Sequence, residues 1–145
     1  TYINSTMALH DAISKGADEA LLLDKNGYVS EGSGENIFSI KEDTLITPKT
    51  DHCLNGITRQ SVIKIASDLG LNVEEKDFTY EELVQSDEVF FSGTAVEITP
   101  ISKIDDVIIG SGSIGPVTEN LQNLYSDIVT GKNAVYEDWL SLVSD

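Results

Sequence analysis

Four short apolar segments follow one another between residues 20 and 47, and turns of only a few residues separate them. ALLLD and YVSEG flank the turn Lys25-Asn26-Gly27, and NIFSIK and TLITP flank a turn at Glu42-Asp43. Such short turns join antiparallel neighbours, because a parallel connection needs a crossover of about a dozen residues or more. This part of the chain therefore predicts hairpins and a largely antiparallel sheet.

Helical patterns are interspersed among these strands. Apolar residues recur at helical spacing, and glycine or proline marks helix ends, while Thr79 and Glu82 have the spacing of a capping box. The predicted helices cover 3–15, 58–69, a short segment from 79, 116–130 and 136–143. Further strands are predicted at 71–78, within 88–101 and as a glycine-rich hairpin at 106–115. Helices and hairpin-linked strands in one chain of 145 residues predict a single α+β domain.

Charge and composition exclude several classes of function. A net charge of −16 is unfavourable for binding nucleic acid or an anionic membrane, and no segment approaches the ~20 apolar residues of a membrane span. The single Cys53 cannot form an internal disulfide, which favours a reducing, cytoplasmic setting. An anionic ligand remains possible where backbone amides and a helix dipole supply local positive potential.

Residues 110–115 read GSGSIG, which has the G-x-G-x-x-G form of dinucleotide-binding loops, and Glu137 lies at a suitable distance for the acidic residue. A Rossmann unit needs a second parallel strand after the helix, and none is predicted there. We therefore interpret these glycines as a hairpin turn that precedes a helix beginning at Pro116.

Three other stretches combine small residues with chemically useful groups. They are EGSGENIF (31–38), LNGITR (54–59) and SGTA (92–95). A carboxylate and two glycines suit a ligand-facing turn, free amides before a helix suit a phosphate, and small residues leave backbone amides accessible. Each stretch also has an ordinary explanation: the first as a surface loop, the second as a helix N-cap by Thr58, and the third as a bulge between two strands.

In this order, the stretches resemble the class IV pyridoxal-phosphate aminotransferases. The family signature is E-x-[small]-x-x-N-[apolar]-[F/Y], then [apolar]-x-T, then [apolar]-x-G-[apolar]-x-[K/R]. It is matched here by Glu31, Ser33, Asn36, Ile37, Phe38, Leu45, Thr47, Leu54, Gly56, Ile57 and Arg59. SGTAVEITPI and IGPVT are similar to the branched-chain aminotransferases in particular.

The resemblance implies the barrel-like large domain of the D-amino-acid aminotransferase-like (fold-type IV) enzymes, with pyridoxal 5'-phosphate as cofactor. Glu31 would pair with the pyridine nitrogen, and Tyr2 would bond the phenolic oxygen. Ile57, Thr58 and Thr94 would hold the phosphate, and Leu54 would pack against the ring. The amides of Thr94 and Ala95 would face the substrate carboxylate.

The resemblance also implies a domain organisation. Residues 1–145 would be the C-terminal cofactor-binding domain, with the Schiff-base lysine just before Thr1 and the N-terminal small domain outside this sequence. The eight lysines in the chain do not occupy the lysine position, so we expect no activity from the chain by itself. No third ligand accompanies His10 or His52 and Cys53, so no metal site is predicted, and Cys53 is expected to be buried rather than nucleophilic.

The activity implied is transfer of the amino group of L-leucine, L-isoleucine or L-valine to 2-oxoglutarate, giving L-glutamate and a branched 2-oxo acid, in a homodimer. A D-amino-acid aminotransferase or an aminodeoxychorismate lyase shares the signature. An alternative of another class is a non-catalytic module that binds a phosphate ligand.

Overall fold

The computed structural model describes residues 2–51 and 53–132, with side chains from residue 6 onward. The elements are α1 (Tyr2–Ser14), β1 (Leu21–Leu23), β2 (Val29–Gly32), β3 (Asn36–Lys41), β4 (Thr44–Thr47), α2 (Ile57–Asp68), β5 (Asn72–Glu75), α3 (Tyr80–Val84), β6 (Glu88–Gly93), β7 (Glu97–Pro100), β8 (Lys103–Ile104), β9 (Val107–Ile108) and α4 (Pro116–Val129). The first two predicted helices are confirmed, each one residue earlier than expected. The helix predicted at 136–143 lies outside the described residues.

Within the described residues, five strands form the central sheet, in the order β5-β4-β3-β6-β7. Neighbouring strands are antiparallel except β4 and β5, which are parallel because α2 returns the chain to the same end of the sheet. Two further antiparallel ladders join β1 with β2 and β8 with β9. The predicted α+β fold with a largely antiparallel sheet is confirmed.

The barrel-like closure expected from the resemblance is not seen within the described residues. A barrel requires the first and last strands of a sheet to pair with each other. In the central sheet β5 and β7 each have a single neighbour, and the two ladders outside it contain two strands each. The sheets of residues 2–51 and 53–132 therefore stay open.

Side chains along β3 and β6 alternate between the two faces of the central sheet, and other elements cover both faces. Phe38 and Phe90 are cross-strand partners whose rings stack with centroids 5.0 Å apart, and they face α2 and α4. Ile37 and Val89 face the opposite side, where α3 and the β8–β9 ladder cover them. The two helices α2 and α4 thus share one face of the sheet.

Two local predictions from the sequence are confirmed in detail. The β3–β4 hairpin turns at Glu42-Asp43, with Glu42 at a φ of 55°. The capping box of α3 is complete: the Glu82 amide donates to Thr79 Oγ1 at 3.2 Å, and the Thr79 amide donates to Glu82 Oε2 at 2.9 Å. Both features depend on residues close together in sequence.

The glycine-rich hairpin predicted at 106–115 is wrong. The hairpin lies earlier, between β8 and β9, and turns at Asp105-Asp106. Residues 110–115 form an irregular loop into α4, because Ile109 is buried in the core and Gly110 passes against the carbonyl oxygen of Asp87. Gly110 has a φ of 56°, so glycine serves this close approach rather than a hairpin turn.

Candidate functional site

Helix α2 begins with an open N-terminus. Its N-cap is Gly56, no side chain among residues 6–51 and 53–132 caps this end, and no acidic residue lies in the first turn. The first amides of a helix have no partner within the helix, so those of Ile57 and Thr58 are available to an acceptor. The N-cap interpretation of Thr58 is wrong, because Thr58 lies within the helix, and its buried side chain has Oγ1 3.5 Å from Oη of Tyr125 on α4.

Two side chains, one from β2 and one from β3, hold the residue that leads into this helix. Glu31 Oε2 accepts a hydrogen bond from the Leu54 amide at 3.2 Å, and Asn36 Nδ2 donates to the Leu54 carbonyl oxygen at 2.6 Å. A Cβ on Gly56 would lie 2.7 Å from Asn36 Oδ1, so a larger residue does not fit there without a shift. The position of Glu31 and Asn36 thus fixes the approach to α2.

Leu54 and Ile57 expose 75% and 83% of their surface, although both are large and apolar. Their backbones are held at the start of α2 while their side chains lie on the surface. Apolar groups beside open amides provide a surface that suits a ligand with an apolar part and an anionic part.

The SGTA stretch lies at the end of β6, next to the same part of the sheet. Ser92 pairs with Asn36, and Gly93 pairs with Glu97 across a three-residue turn, Thr94–Val96. Glu97 has a φ of 53°, as expected for the residue that follows such a hairpin turn. The stretch is therefore a three-residue hairpin turn, a type that commonly includes a bulge residue, and Thr94 and Ala95 are exposed on it.

The structure thus brings Glu31, Leu54, Ile57 and Thr58 together at the start of α2. Thr94 and Ala95 lie on the neighbouring turn, and no hydrogen bond among the described residues joins them to α2. The side chain of Tyr2 lies outside the described part of the chain. The roles of these seven residues remain predictions.

The sequence did not predict a pair of carboxyl groups beside the 31–36 turn, formed by Glu19 and Glu35. Ser33 Oγ donates to Glu19 Oε1 at 2.5 Å, and a hydrogen bond joins the two carboxyl groups. Burial, followed by this bond and the charge of Glu19, raises the pKa of Glu35 to about 7. Burial opposes ionisation of Glu19 too, but hydrogen bonds from Ser33 and the Ala20 amide outweigh it and lower the pKa of Glu19.

Arg59 is the second feature that sequence reasoning missed, although it is the last residue of the signature. Its side chain is 2% exposed and makes three hydrogen bonds. Nη1 donates to Asn55 Oδ1 at 2.9 Å, and Nη2 donates to the Pro48 carbonyl oxygen at 3.0 Å and to Glu75 Oε1 at 2.6 Å. A basic residue within the first turn of a helix was the available signal, because the helix dipole disfavours positive charge there.

The other long helix on this face begins differently. Glu88 is buried, and its carboxylate accepts hydrogen bonds from the Thr118 amide at 2.8 Å and the Val117 amide at 3.3 Å, at the start of α4. Gly115 is needed there because a Cβ would overlap the Glu88 side chain. The helix after GSGSIG is therefore already capped by the protein, which argues against the dinucleotide interpretation and for a structural role of IGPVT.

Cys53 is half-buried, and its thiol donates to the Lys49 carbonyl oxygen at 3.4 Å. Burial raises the pKa of the Cys53 thiol, which disfavours the reactive thiolate. His52 lies outside the described residues. Among the residues that the structure describes, no helix has the length and apolar character that crossing a membrane requires.

Residues 1–104 match the family model of the class IV amino-transferases. The chain belongs to the class IV aminotransferase family. A branched-chain-amino-acid aminotransferase of Pseudomonas aeruginosa is 52% identical over 142 residues, which are 98% of this chain and 46% of that protein. The chain thus spans about half the length of the curated relatives it matches.

Two solved structures of class IV aminotransferases illustrate the likeness in three dimensions. One is the T.th. branched-chain amino acid aminotransferase complexed with N-(5'-phosphopyridoxyl)-L-glutamate. It has a TM-score of 0.94 at 48% identity, and the match spans 97% of this chain and 47% of that protein's chain. The Escherichia coli branched-chain amino acid aminotransferase has a TM-score of 0.95 at 41% identity. The match spans 99% of this chain and 49% of the Escherichia coli chain. The likeness extends beyond the matched signature to the fold as a whole.

Proposed function

We propose that this chain is the cofactor-binding part of a branched-chain amino acid aminotransferase that uses pyridoxal 5'-phosphate. The complete enzyme transfers the amino group of L-leucine, L-isoleucine or L-valine to 2-oxoglutarate and releases L-glutamate and a branched 2-oxo acid. Family membership, the names of the relatives and the ligand of the T.th. structure support the proposal.

The observation that carries the proposal is the open N-terminus of α2 beside the carboxylate of Glu31. Pyridoxal phosphate combines a phosphate group with a basic ring nitrogen, and the residues present fit both. Unpaired amides and the helix dipole attract the anion, even in a chain with a net charge of −16. A carboxylate suits the ring nitrogen.

Glu31 holds the proton of the ring nitrogen, because a neighbouring carboxylate raises the pKa of such a nitrogen. Its hydrogen bond from the Leu54 amide fixes the direction of the carboxyl group. When bound, the cofactor supplies the electron sink for the electron pair left at the substrate Cα after its proton departs. Removing the charge of Glu31 should therefore lower the rate of the reaction more than the affinity for the cofactor.

The other site residues complete the proposal. The Ile57 and Thr58 amides, with the hydroxyl groups of Thr58 and Thr94, would bind the phosphate, and the exposed side chain of Leu54 would pack against the ring. The amides of Thr94 and Ala95 bind the substrate carboxylate. Tyr2 donates to the phenolic oxygen of the cofactor.

We extend the proposal to the parts of the enzyme that this sequence does not contain. A lysine that precedes Thr1 would act as the general base at the substrate Cα, and an N-terminal small domain would contribute to the substrate pocket. The enzyme works as a homodimer in the cytoplasm. The free Cys53 agrees with a reducing compartment.

The test uses the complete protein that contains this chain, purified with pyridoxal phosphate. The visible absorption band of the bound cofactor is recorded before and after addition of L-leucine, and separately of D-alanine. We expect L-leucine alone to convert the band to that of the amino form of the cofactor, and 2-oxoglutarate to restore the original band.

Other outcomes would point elsewhere. Conversion by D-alanine alone would keep the family and replace the substrate class with D-amino acids. A protein that binds the phosphate ligand without any lysine-linked band would be a non-catalytic binding module. Either result would contradict the proposed function.

A further inference from the structure

The loop between β4 and α2, residues 48–56, carries Leu54 and leads directly to the open end of α2. Burial does little to hold it, because most of its described side chains are exposed, Leu54 and Asn55 among them. Ordering such a loop costs about 1–2 kcal/mol per residue in backbone entropy. Specific hydrogen bonds must therefore contribute to its single conformation.

Arg59 connects both ends of this loop. Through Nη2 it donates to the carbonyl oxygen of Pro48, where the loop begins, and through Nη1 it donates to Asn55, where the loop ends. Nη2 also donates to Glu75, which is the partner of Thr47 in the parallel β4–β5 pair. We call Arg59 with these three acceptors the Arg59 network.

The network depends on the shape of the guanidinium group. It offers several N–H donors in fixed directions within one plane, whereas a lysine ammonium is a flexible point charge. Arg59 is 2% exposed, and its ion-pair partner Glu75 has a side chain that is 49% exposed. A buried arginine with two loop acceptors and one carboxylate is suited to fixing geometry, and its burial separates it from direct contact with a ligand.

Arg59 is also two residues after Ile57 and next to Thr58, in the same first turn of α2. Its hydrogen bonds reach the Asn55 side chain and the Pro48 carbonyl oxygen, on either side of the loop that leads into this turn. We propose that Arg59 is a positioning residue: through Pro48 and Asn55 it orients the amides of Ile57 and Thr58 toward the cofactor phosphate. The role rests on the proposed function, in which those amides bind that phosphate.

A positioning role of Arg59 can be distinguished from an effect of its positive charge. Removing the Asn55 acceptor should speed cofactor release, as replacing Arg59 does, even though Asn55 carries no charge. If Arg59 acted through its charge, loss of the Asn55 contact would leave phosphate binding unchanged. Asn55→Ala is therefore the decisive variant, and its exposed position makes it compatible with folding.

The experiment compares Arg59→Lys and Asn55→Ala in the complete holoenzyme with a control of similar burial elsewhere. Glu88→Gln is the control, because Glu88 serves the start of α4 rather than α2. Three quantities are measured: the rate of pyridoxal phosphate release after dilution, the phosphorus NMR resonance of the bound phosphate, and the melting temperature of the cofactor-free protein.

We expect release about tenfold or more faster in Arg59→Lys and about threefold to tenfold faster in Asn55→Ala, the size expected for lost hydrogen bonds. The phosphorus resonance should shift in both. Glu88→Gln should lower the melting temperature with release at the wild-type rate and an unchanged resonance.

Release rates that follow the melting temperature in all three variants would overturn the positioning role, as would wild-type release in Asn55→Ala. These failures occur with a wild-type protein that binds the cofactor, so the proposed function would survive them. A wild-type protein that binds no pyridoxal phosphate would overturn the proposed function and the positioning role together.

Discussion

The carboxylate of Glu31 accepts a hydrogen bond from the backbone amide of Leu54 at 3.2 Å, across 23 positions of sequence. This contact joins the end of β2 to the loop before α2. It places a carboxylate and an open helix N-terminus in one region of the surface. Because the contact uses the carboxyl oxygen as an acceptor, an amide side chain can keep it.

The first prediction concerns Glu31→Gln. Glutamine can still accept from the Leu54 amide but cannot hold a proton on the ring nitrogen by charge. We expect the turnover number to fall about 100-fold or more, the range for a lost electrostatic contribution, with the cofactor still bound. Steady-state kinetics with L-leucine and the bound-cofactor spectrum measure the two effects. Glu42→Gln, at an exposed hairpin turn, is the control and should keep wild-type turnover; equal losses in both variants would contradict the role of Glu31.

A second prediction concerns Gly56→Ala. The new Cβ would lie 2.7 Å from Asn36 Oδ1, so either the start of α2 or the Asn36 side chain, which holds the Leu54 carbonyl oxygen, must shift. We expect a loss of about 1–3 kcal/mol in the free energy of unfolding and weaker cofactor binding. Gly34→Ala makes the same change where nothing lies within 4 Å. Equal effects of the two variants on urea unfolding and on cofactor affinity would disprove this interpretation.

Thr58 provides a third prediction. Thr58→Val keeps the buried shape and removes the hydroxyl that lies 3.5 Å from Tyr125 Oη. If that hydroxyl binds phosphate, cofactor affinity should fall about tenfold, the equivalent of about one hydrogen bond to a charged group. Thr58→Ser keeps the hydroxyl and should bind the cofactor nearly as the wild type does. Spectroscopic titration of the cofactor-free protein checks this, and equal affinities of the valine and serine variants would refute it.

The fourth prediction is a dependence of stability on pH. Folding raises the pKa of Glu35 from 4.5 to about 7, so the folded state binds this proton more tightly than the unfolded state. The resulting stabilisation is complete below about pH 4.5 and is lost as the pH rises through about 7. Glu19, whose pKa is lowered, contributes in the opposite sense and loses its contribution only as the pH falls through its folded pKa, below 4.5.

Glu35→Gln cannot ionise and should flatten this dependence. Urea unfolding of wild type and variant from about pH 5 to about pH 8 measures it, and the wild type should lose more free energy of unfolding over this range. Glu42→Gln should retain the wild-type slope. A slope in Glu35→Gln as steep as in the wild type would assign the dependence to another group.

How far the sequence predicted this structure depends on the range of each interaction. The Glu42-Asp43 turn and the Thr79–Glu82 capping box involve neighbouring residues, and both are confirmed. The hairpin at 106–115 failed because Gly110 serves a contact with Asp87, which no local pattern reveals.

For the candidate site, too, local features were predicted from the sequence and long-range contacts were not. The signature brought Glu31, Leu54 and Ile57 to attention, and the structure gathers them at the start of α2. Arg59 and Glu88 act on partners up to 16 and 30 positions away. These long-range contacts are visible only in the folded chain, although the basic residue in the first turn of α2 was a signal for Arg59.

The most direct test of the central claim compares the two helix N-termini on one face of the sheet. Pyridoxal phosphate is added to isotope-labelled, cofactor-free complete protein, and amide NMR resonances are followed. The account predicts large shifts at Ile57 and Thr58, and little change at Val117 and Thr118, which Glu88 already binds. Unmoved resonances at Ile57 and Thr58 in a protein that binds the cofactor would contradict it.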